Sequence, residues 1–166
     1  MGTGQLFLTG SMTPGMKDCV GSLIAFARGC PEAMLRGVPQ ASDQEPRFGL
    51  SDPTRDLHIH LTPASATHGT TESAAVVVAL AGLLAGQAPR ADVAVAGEAP
   101  HAGDLCGIAG FDRWAAESCV KVAGLRKVVV STASVEAVRA SVCAAGVELE
   151  IQGVMTVSEA IAAVYS

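Results

Sequence analysis

The sequence predicts a single α/β domain covering residues 1–166, and three observations support this prediction. In the second half of the chain, short Val-rich runs alternate with segments whose apolar residues have helical spacing. The length of 166 residues suits one domain, and 49% hydrophobic residues are ample for its core. Charged residues make up only 16% of the chain, which excludes a coiled coil and a disordered protein.

The first part of the chain contributes predicted strands at 5–9 and 56–61 and a predicted helix at 14–27. That helix carries a proline in its first turn, where proline is favoured. Residues 30–55 contain four prolines and no hydrophobic period. We therefore expect an irregular surface excursion there, with one helical turn at 32–35.

The segment from Ser73 to Gly86 is predicted to be a buried helix. Ala, Val and Leu occupy nearly all of its sides, which is typical of a helix inside a protein. It is too short to cross a bilayer, which takes about 20 apolar residues. The helix follows a loop of small and hydroxyl residues at 62–71, and Gly86 with Pro89 beyond it predicts its end.

From residue 92 onward, strands and helices alternate. A Val-Ala run at 92–96 predicts a strand, with a hairpin partner at 105–108 after a turn at 101–104. The elements predicted after it are a helix at 111–123, a strand at 127–130, a helix at 131–145, a strand at 147–151 and a helix at 158–165 with Thr156 as its N-cap.

The cysteines of the chain indicate its cellular compartment, and its net charge argues against one class of partner. The chain has five scattered cysteines and no C-x-x-C pair, so we interpret them as free thiols in a reducing intracellular compartment, either cytoplasm or organelle matrix. A net charge of −5 without a Lys/Arg cluster argues against nucleic acid as a partner. We also expect no membrane association.

Aromatic residues are only 4% of the chain, and a core of such small side chains predicts packing against neighbouring subunits.

The order of these elements, together with short motifs at their junctions, resembles the proteolytic domain of Lon proteases. The matching stretches are GQLFLTG at 4–10, MKD at 16–18, DLHIH at 56–60, DVAVAGE at 92–98, the glycines and isoleucine at 103, 108 and 110, and the closing region at 124–160. The resemblance covers nearly the whole chain. It implies the α/β (α+β) fold of that domain, which is ribosomal protein S5 domain 2-like. It begins about one hairpin late, which implies that the chain is the C-terminal part of a longer protein.

The family hydrolyses peptide bonds with a Ser–Lys dyad, and both dyad positions differ in this chain. Counting back from Gly86 places Thr71 at the nucleophile position, and counting forward from Gly110 places Trp114 at the lysine position. A hydroxyl nucleophile must give its proton to an adjacent base, whereas the indole of tryptophan is only a donor. Glu72 replaces a small residue of the family and would repel an oxyanion at the N-terminus of the following helix. The resemblance therefore implies a degenerate site.

Four residues near this site keep alternative interpretations. Ser73 is either a substitute nucleophile or a first-turn helix residue. His68 is either a replacement base for Thr71 or an exposed loop histidine. Trp114 either fills the emptied lysine pocket or serves as a binding platform. Glu98 keeps a family residue beside the active-site groove, but a lone carboxylate does not establish hydrolysis.

His58 and His60 are two residues apart on a predicted strand and therefore share one face of it. Two imidazoles on one face can begin a metal site, but no third ligand is evident and the family has these positions without a metal. The alternative is that they support the site through hydrogen bonds.

Two functions follow from the resemblance. The first is a Lon-like domain without peptidase activity that acts as an assembly or binding module, with a peptide or protein ligand. The alternative is an active or residual ATP-dependent serine/threonine-type peptidase that uses Thr71 or Ser73. The resemblance also implies a homo-oligomer, with a hexameric ring as the family arrangement. The chain contains no G-x-x-x-x-G-K-[ST] motif, so we expect no cofactor in it, and ATP only if an AAA+ module exists elsewhere in the protein.

Overall fold

The computed structural model describes residues 2–39, 52, 54–61, 72–100, 103–107 and 124–166. These residues form two parallel sheets and the helices packed on them, so the predicted α/β class is confirmed. The strands are β1 (Leu6–Gly10), β2 (Leu57–Leu61), β3 (Val93–Ala96), β4 (Lys127–Ser131) and β5 (Glu150–Val154). The helices are α1 (Pro14–Gly29), α2 (Pro31–Leu35), α3 (Ser73–Ala85), α4 (Val135–Ala144) and α5 (Val157–Tyr165), with a 3-10 turn at Thr132–Ser134.

The first sheet pairs β1 with β2 in parallel, from Leu6 opposite Leu57 to Gly10 opposite Leu61. The two strands lie about 50 residues apart in the chain, and Asp56 joins them at their start. Its Oδ1 accepts hydrogen bonds from the backbone N–H groups of Thr3 at 2.6 Å and of Gln5 at 3.0 Å. These bonds lower the pKa of the Asp56 carboxyl, because they favour its charged form.

Helix α3 is the central element of the larger core. Buried residues occur on nearly all its sides, as the sequence predicts, and Val77 and Ala81 have no exposed surface. It packs against α1, α2, α5 and β3. Its end at Gly86 is also confirmed, since this residue adopts the left-handed conformation with φ of 65° that glycine allows.

Gly82 allows α5 to approach α3 closely. A side-chain carbon at position 82 would collide with the hydroxyl of Tyr165. That hydroxyl donates a hydrogen bond to the carbonyl oxygen of Val78 at 3.0 Å, inside the core. Burial raises the pKa of Tyr165, so its hydroxyl remains a donor at neutral pH.

The second sheet has the order β3-β4-β5, with all strands parallel. Helix α4 covers it through a smaller apolar cluster that includes Val128, Val130, Val138 and Val142. The predicted helix at 131–145 is confirmed over Val135–Ala144, whereas Ser131 ends β4 and Thr132–Ser134 form the 3-10 turn.

The predicted strand at 147–151 is wrong in its bounds, because β5 spans Glu150–Val154. The N–H of Val147 instead donates to the carbonyl of Val142, so this segment wraps the end of α4. Val147 and Leu149 are partly buried against the smaller cluster from this loop, which explains their apolar alternation without a strand. The ladder with β4 begins only at Glu150, opposite Lys127.

The predicted N-cap of the last helix is confirmed. The Thr156 Oγ1 accepts a hydrogen bond from the N–H of Glu159 at 3.2 Å, and the Glu159 carboxylate accepts one from the N–H of Thr156 at 3.2 Å. This reciprocal capping box satisfies two N–H groups that the first helical turn leaves free.

The predicted hairpin partner of β3 is reduced to a bridge. Cys106 pairs with Glu98 in the antiparallel sense, beyond the end of β3, while the described neighbour of β3 is the parallel strand β4. The predicted helix at 111–123 and half of the predicted excursion at 30–55 lie outside the described residues. The helical turn predicted within the excursion is confirmed as α2. None of the described helices has the length and apolar character needed to cross a membrane.

Candidate active site

The structure describes four of the seven candidate site residues. Ser73 begins α3, Glu98 follows β3, and His58 and His60 lie in β2. Thr71, Trp114 and His68 lie outside the described residues. The geometry of the site is therefore that of the α3 N-terminus and the segments packed around it.

Ser73 joins α3 to the segment that leaves β3. Its side chain has no exposed surface, and its Oγ accepts a hydrogen bond from the backbone N–H of Ala99 at 2.8 Å. The next N–H of the helix, that of Ala74, donates to the carbonyl of Gly97 at 3.3 Å. The hydroxyl of Ser73 thus satisfies a buried backbone donor, which would otherwise cost free energy.

Cys19 of α1 completes this cluster, although little in the sequence marked it as a candidate site residue. Its thiol donates to the carbonyl oxygen of Ala99, with Sγ at 3.5 Å, and the Ser73 side chain influences the pKa of that thiol. Burial raises the pKa of the Cys19 thiol, the side chain of Ser73 partly opposes this, and the charge of Glu98 raises it further. The thiol is therefore protonated at neutral pH. The one signal in the sequence was its place directly after the MKD motif.

Glu98 is held at the edge of the same cluster by its backbone. Its N–H donates to the carbonyl of Cys106 at 3.1 Å, and its carbonyl accepts from the N–H of Cys106 at 2.8 Å. A side-chain carbon on the preceding residue, Gly97, would lie only 2.9 Å from the side chain of Leu105. The glycine therefore allows the two segments to lie in contact.

No lysine base for Ser73 is evident in the described part of the chain. The two lysines there are Lys17, exposed on α1, and Lys127, which pairs with Glu150 at 3.7 Å. Neither is hydrogen bonded to Ser73, whose hydroxyl accepts from Ala99 in the described part of the chain. A protonated thiol is a poor acceptor for a serine proton.

His58 and His60 share one hydrogen-bond partner on the exposed face of the first sheet. The hydroxyl of Thr9 lies 2.7 Å from Nε2 of His58 and 2.8 Å from Nδ1 of His60. The hydroxyl carries one proton, so when both rings are neutral it donates to one imidazole and accepts from the other. Within the described residues, no group of three or more His, Cys, Asp or Glu side chains is arranged to hold a metal ion.

A groove of about 410 Å³ lies between β2 and α3. Glu72 lines it, directly before the first residue of α3. One carboxylate oxygen of Glu72, Oε2, is buried and has no hydrogen-bond partner among the described residues.

Comparison with known proteins agrees with the resemblance found in the sequence. A model of the Lon protease (S16) C-terminal proteolytic domain matches residues 1–165 of this chain. The protein named Lon protease 2 from Syntrophobacter fumaroxidans (strain DSM 10017 / MPOB) is 35% identical over 112 residues. That alignment covers 66% of this chain and 13% of the relative, so the chain is similar to a small part of that longer protein.

Proposed function

Because this chain belongs to the family of Lon protease C-terminal proteolytic domains, we propose that it is a divergent member without peptidase activity that serves as an assembly or binding module. The observation that carries the proposal is the state of Ser73, the one serine at the start of α3. Its hydroxyl is completely buried, and it accepts the N–H of Ala99. A nucleophile needs a lone pair directed at the substrate and a base for its proton.

The residues at the dyad positions support the same proposal. Thr71 and Trp114 replace the serine and lysine of the family. Trp114 cannot accept a proton, and the methyl group of Thr71 crowds an attacking oxygen. Glu72 adds a negative charge at the N-terminus of α3, where a peptidase would need to stabilise an oxyanion.

One observation favours residual peptidase activity as a second candidate. Ser73 lies at the N-terminus of a helix, beside the backbone N–H groups that could stabilise an anion. If a ligand displaced the Ala99 contact, Ser73 would need only a base, and His68 lies five residues before it in the chain. In this alternative, Thr71 or Ser73 is the nucleophile.

A fluorogenic peptide assay tests the proposal. The unmodified chain should show no turnover above a blank, and the double variant Thr71→Ser/Trp114→Lys is the matched attempt to restore the dyad. Turnover by the unmodified chain that is lost in Thr71→Ala or Ser73→Ala would overturn the proposal. The melting temperature of each variant shows whether it is folded.

The module assembles with copies of itself, and a ring of six would follow the family arrangement. It functions inside a reducing compartment. Support comes from the small side chains of its core and from the free state of the four described cysteines. ATP would act on it only if an AAA+ module exists elsewhere in the protein. Sedimentation equilibrium of the purified chain tests the assembly, and a monomer at all concentrations would contradict it.

A further inference from the structure

The groove between β2 and α3 has a strand edge as one wall. All five consecutive residues of β2, Leu57–Leu61, line it. Successive side chains of a strand point to opposite faces, so five consecutive lining residues mean that the wall is the edge of the strand. The other wall is one face of α3, on which Ala75, Ala79 and Leu83 are exposed at intervals of one helical turn.

The backbone along this edge is open in the described part of the chain. The N–H of Leu57 donates to the carbonyl of Gln5 at 2.9 Å, so Leu57, Ile59 and Leu61 direct their backbone groups at β1. The backbone groups of His58 and His60 therefore point the other way, towards the groove. Among the described residues, no strand pairs with that edge. Such an edge is a template for an added strand.

Glu72 gives one end of the groove a charge without a partner. Its Oε2 is buried and lacks a hydrogen bond from any described residue. The N-terminus of α3 favours a negative charge, but it leaves this oxygen without a donor. A buried carboxylate oxygen without a donor is costly, and a positively charged hydrogen-bond donor is the group that satisfies it best.

The length of the groove matches that of its strand edge. Leu83, whose side chain is 43% exposed, lies eleven residues after Glu72, which corresponds to about 16 Å along a helix. About five residues of extended chain cover that distance. The groove thus combines backbone hydrogen bonding along its length, an acidic end and an apolar end.

We propose that this groove binds an extended peptide segment of another polypeptide, which adds to the outer edge of β2 and carries a Lys or Arg that pairs with Glu72. The small side chains of Ala75 and Ala79 leave room for the peptide, and Leu83 contacts an apolar residue at its other end. This inference rests on the proposed function, because it names the ligand class of the binding module.

Binding of blocked undecapeptide pools to the 166-residue chain tests this proposal, because five residues on either side of a central Lys or Arg span the distance from Glu72 to Leu83. The pools carry a C-terminal fluorophore and Lys, Arg, Gln or Glu at the centre, with mixtures of Ala, Val, Leu and Thr elsewhere. Fluorescence anisotropy should report about tenfold tighter binding of the Lys and Arg pools than of the Gln pool. The Glu72→Gln variant should bind all pools alike, since it keeps the size of the side chain and removes the charge.

The matched control is Glu136→Gln, which removes one carboxylate from the exposed surface of α4, where the side chain is 85% exposed. It should keep the tenfold preference. A second variant, Leu83→Ser, should weaken binding of every pool while the Lys-over-Gln ratio remains. Circular dichroism confirms that each variant is folded.

Equal binding of the Lys and Gln pools, no binding of any pool, or a preference that survives Glu72→Gln would overturn the groove proposal. Mass spectrometry of the peptides after incubation separates this result from a failure of the proposed function. Cleaved peptides would contradict the absence of peptidase activity, whatever their relative affinities. Intact peptides without a Glu72-dependent preference would contradict the groove alone.

Discussion

The hydroxyl of Ser73 accepts the backbone N–H of Ala99 at 2.8 Å, and this hydrogen bond ties the first turn of α3 to the segment that leaves β3. The carbonyl of the same residue, Ala99, lies 3.5 Å from the thiol of Cys19 on α1. Three distant parts of the chain therefore meet at one buried polar cluster. Its polar groups bond one another, which gives the cluster a structural role at the place where a Lon-type nucleophile would be sought.

Ser73→Ala should destabilise the fold. The change leaves the N–H of Ala99 buried without an acceptor, which costs about 1–3 kcal/mol. Urea denaturation measures this loss. The control is Ser22→Ala, because Ser22 is exposed on α1 and its hydroxyl donates to the carbonyl of Asp18 on the same helix. A change of less than about 0.5 kcal/mol is expected there. Equal stability of both variants would show that the Ser73 bond contributes nothing.

The Cys19 thiol should make stability depend on pH in the alkaline range. Its pKa is raised in the folded state, mainly by burial, so the folded protein holds this proton more tightly than the unfolded chain does. Its contribution is fully present below the unfolded pKa of about 8.5. The contribution is lost as the pH rises from there through the folded pKa. Denaturation at pH 7 and pH 10 should therefore show a smaller alkaline loss for Cys19→Ala than for the unmodified chain, and identical losses would contradict this.

Gly82→Ala should destabilise the contact between α3 and α5. The added methyl group meets the hydroxyl of Tyr165, which must move from its bond to the Val78 carbonyl. We expect a loss of about 1–3 kcal/mol in the free energy of unfolding. Gly21→Ala is the matched control, because it lies in helix α1 with open space around its side-chain position. That change should stabilise the protein by up to about 1 kcal/mol. The same sign for both variants would contradict the close approach.

Thr156→Ala should shorten or loosen α5 by removing its N-cap. The loss expected for such a cap is about 1 kcal/mol, measured by thermal or urea denaturation. Ser158→Ala, in the first turn of the same helix, leaves the Thr156–Glu159 capping box in place and should have an effect below about 0.5 kcal/mol. If Thr156→Ala proves as mild as Ser158→Ala, the capping box does not stabilise the helix.

Elements with strong local signals were predictable. The apolar run of α3 and the glycine at its end define that helix, and Thr156 with Glu159 marks the start of α5. The bounds of β5 were not predictable, because Val147 and Leu149 alternate as strand residues do while packing from a loop. A half-buried loop and a half-buried strand produce the same alternation, and only the register with Lys127 distinguishes them.

The residues of the candidate site also differ in whether the sequence could identify them. Motif spacing alone identified Ser73, Glu98, His58 and His60 as residues to locate, and predicted that the two histidines share one face. It did not identify Cys19 as part of the cluster. Cys19 and Ala99 are 80 positions apart, and no local pattern records a contact across that separation.

The sequence by itself determined the family, the α/β class and the ends of the helices with local capping signals, and it predicts Thr71 and Trp114 at the dyad positions. These depend on residue identity and on interactions within a few positions. Only the tertiary structure decided that the Ser73 hydroxyl is engaged by Ala99, that Glu72 has a buried oxygen without a described partner, and that the outer edge of β2 borders a groove. These properties arise where segments distant in the chain pack together, because burial and the choice of hydrogen-bond partners are set by that packing.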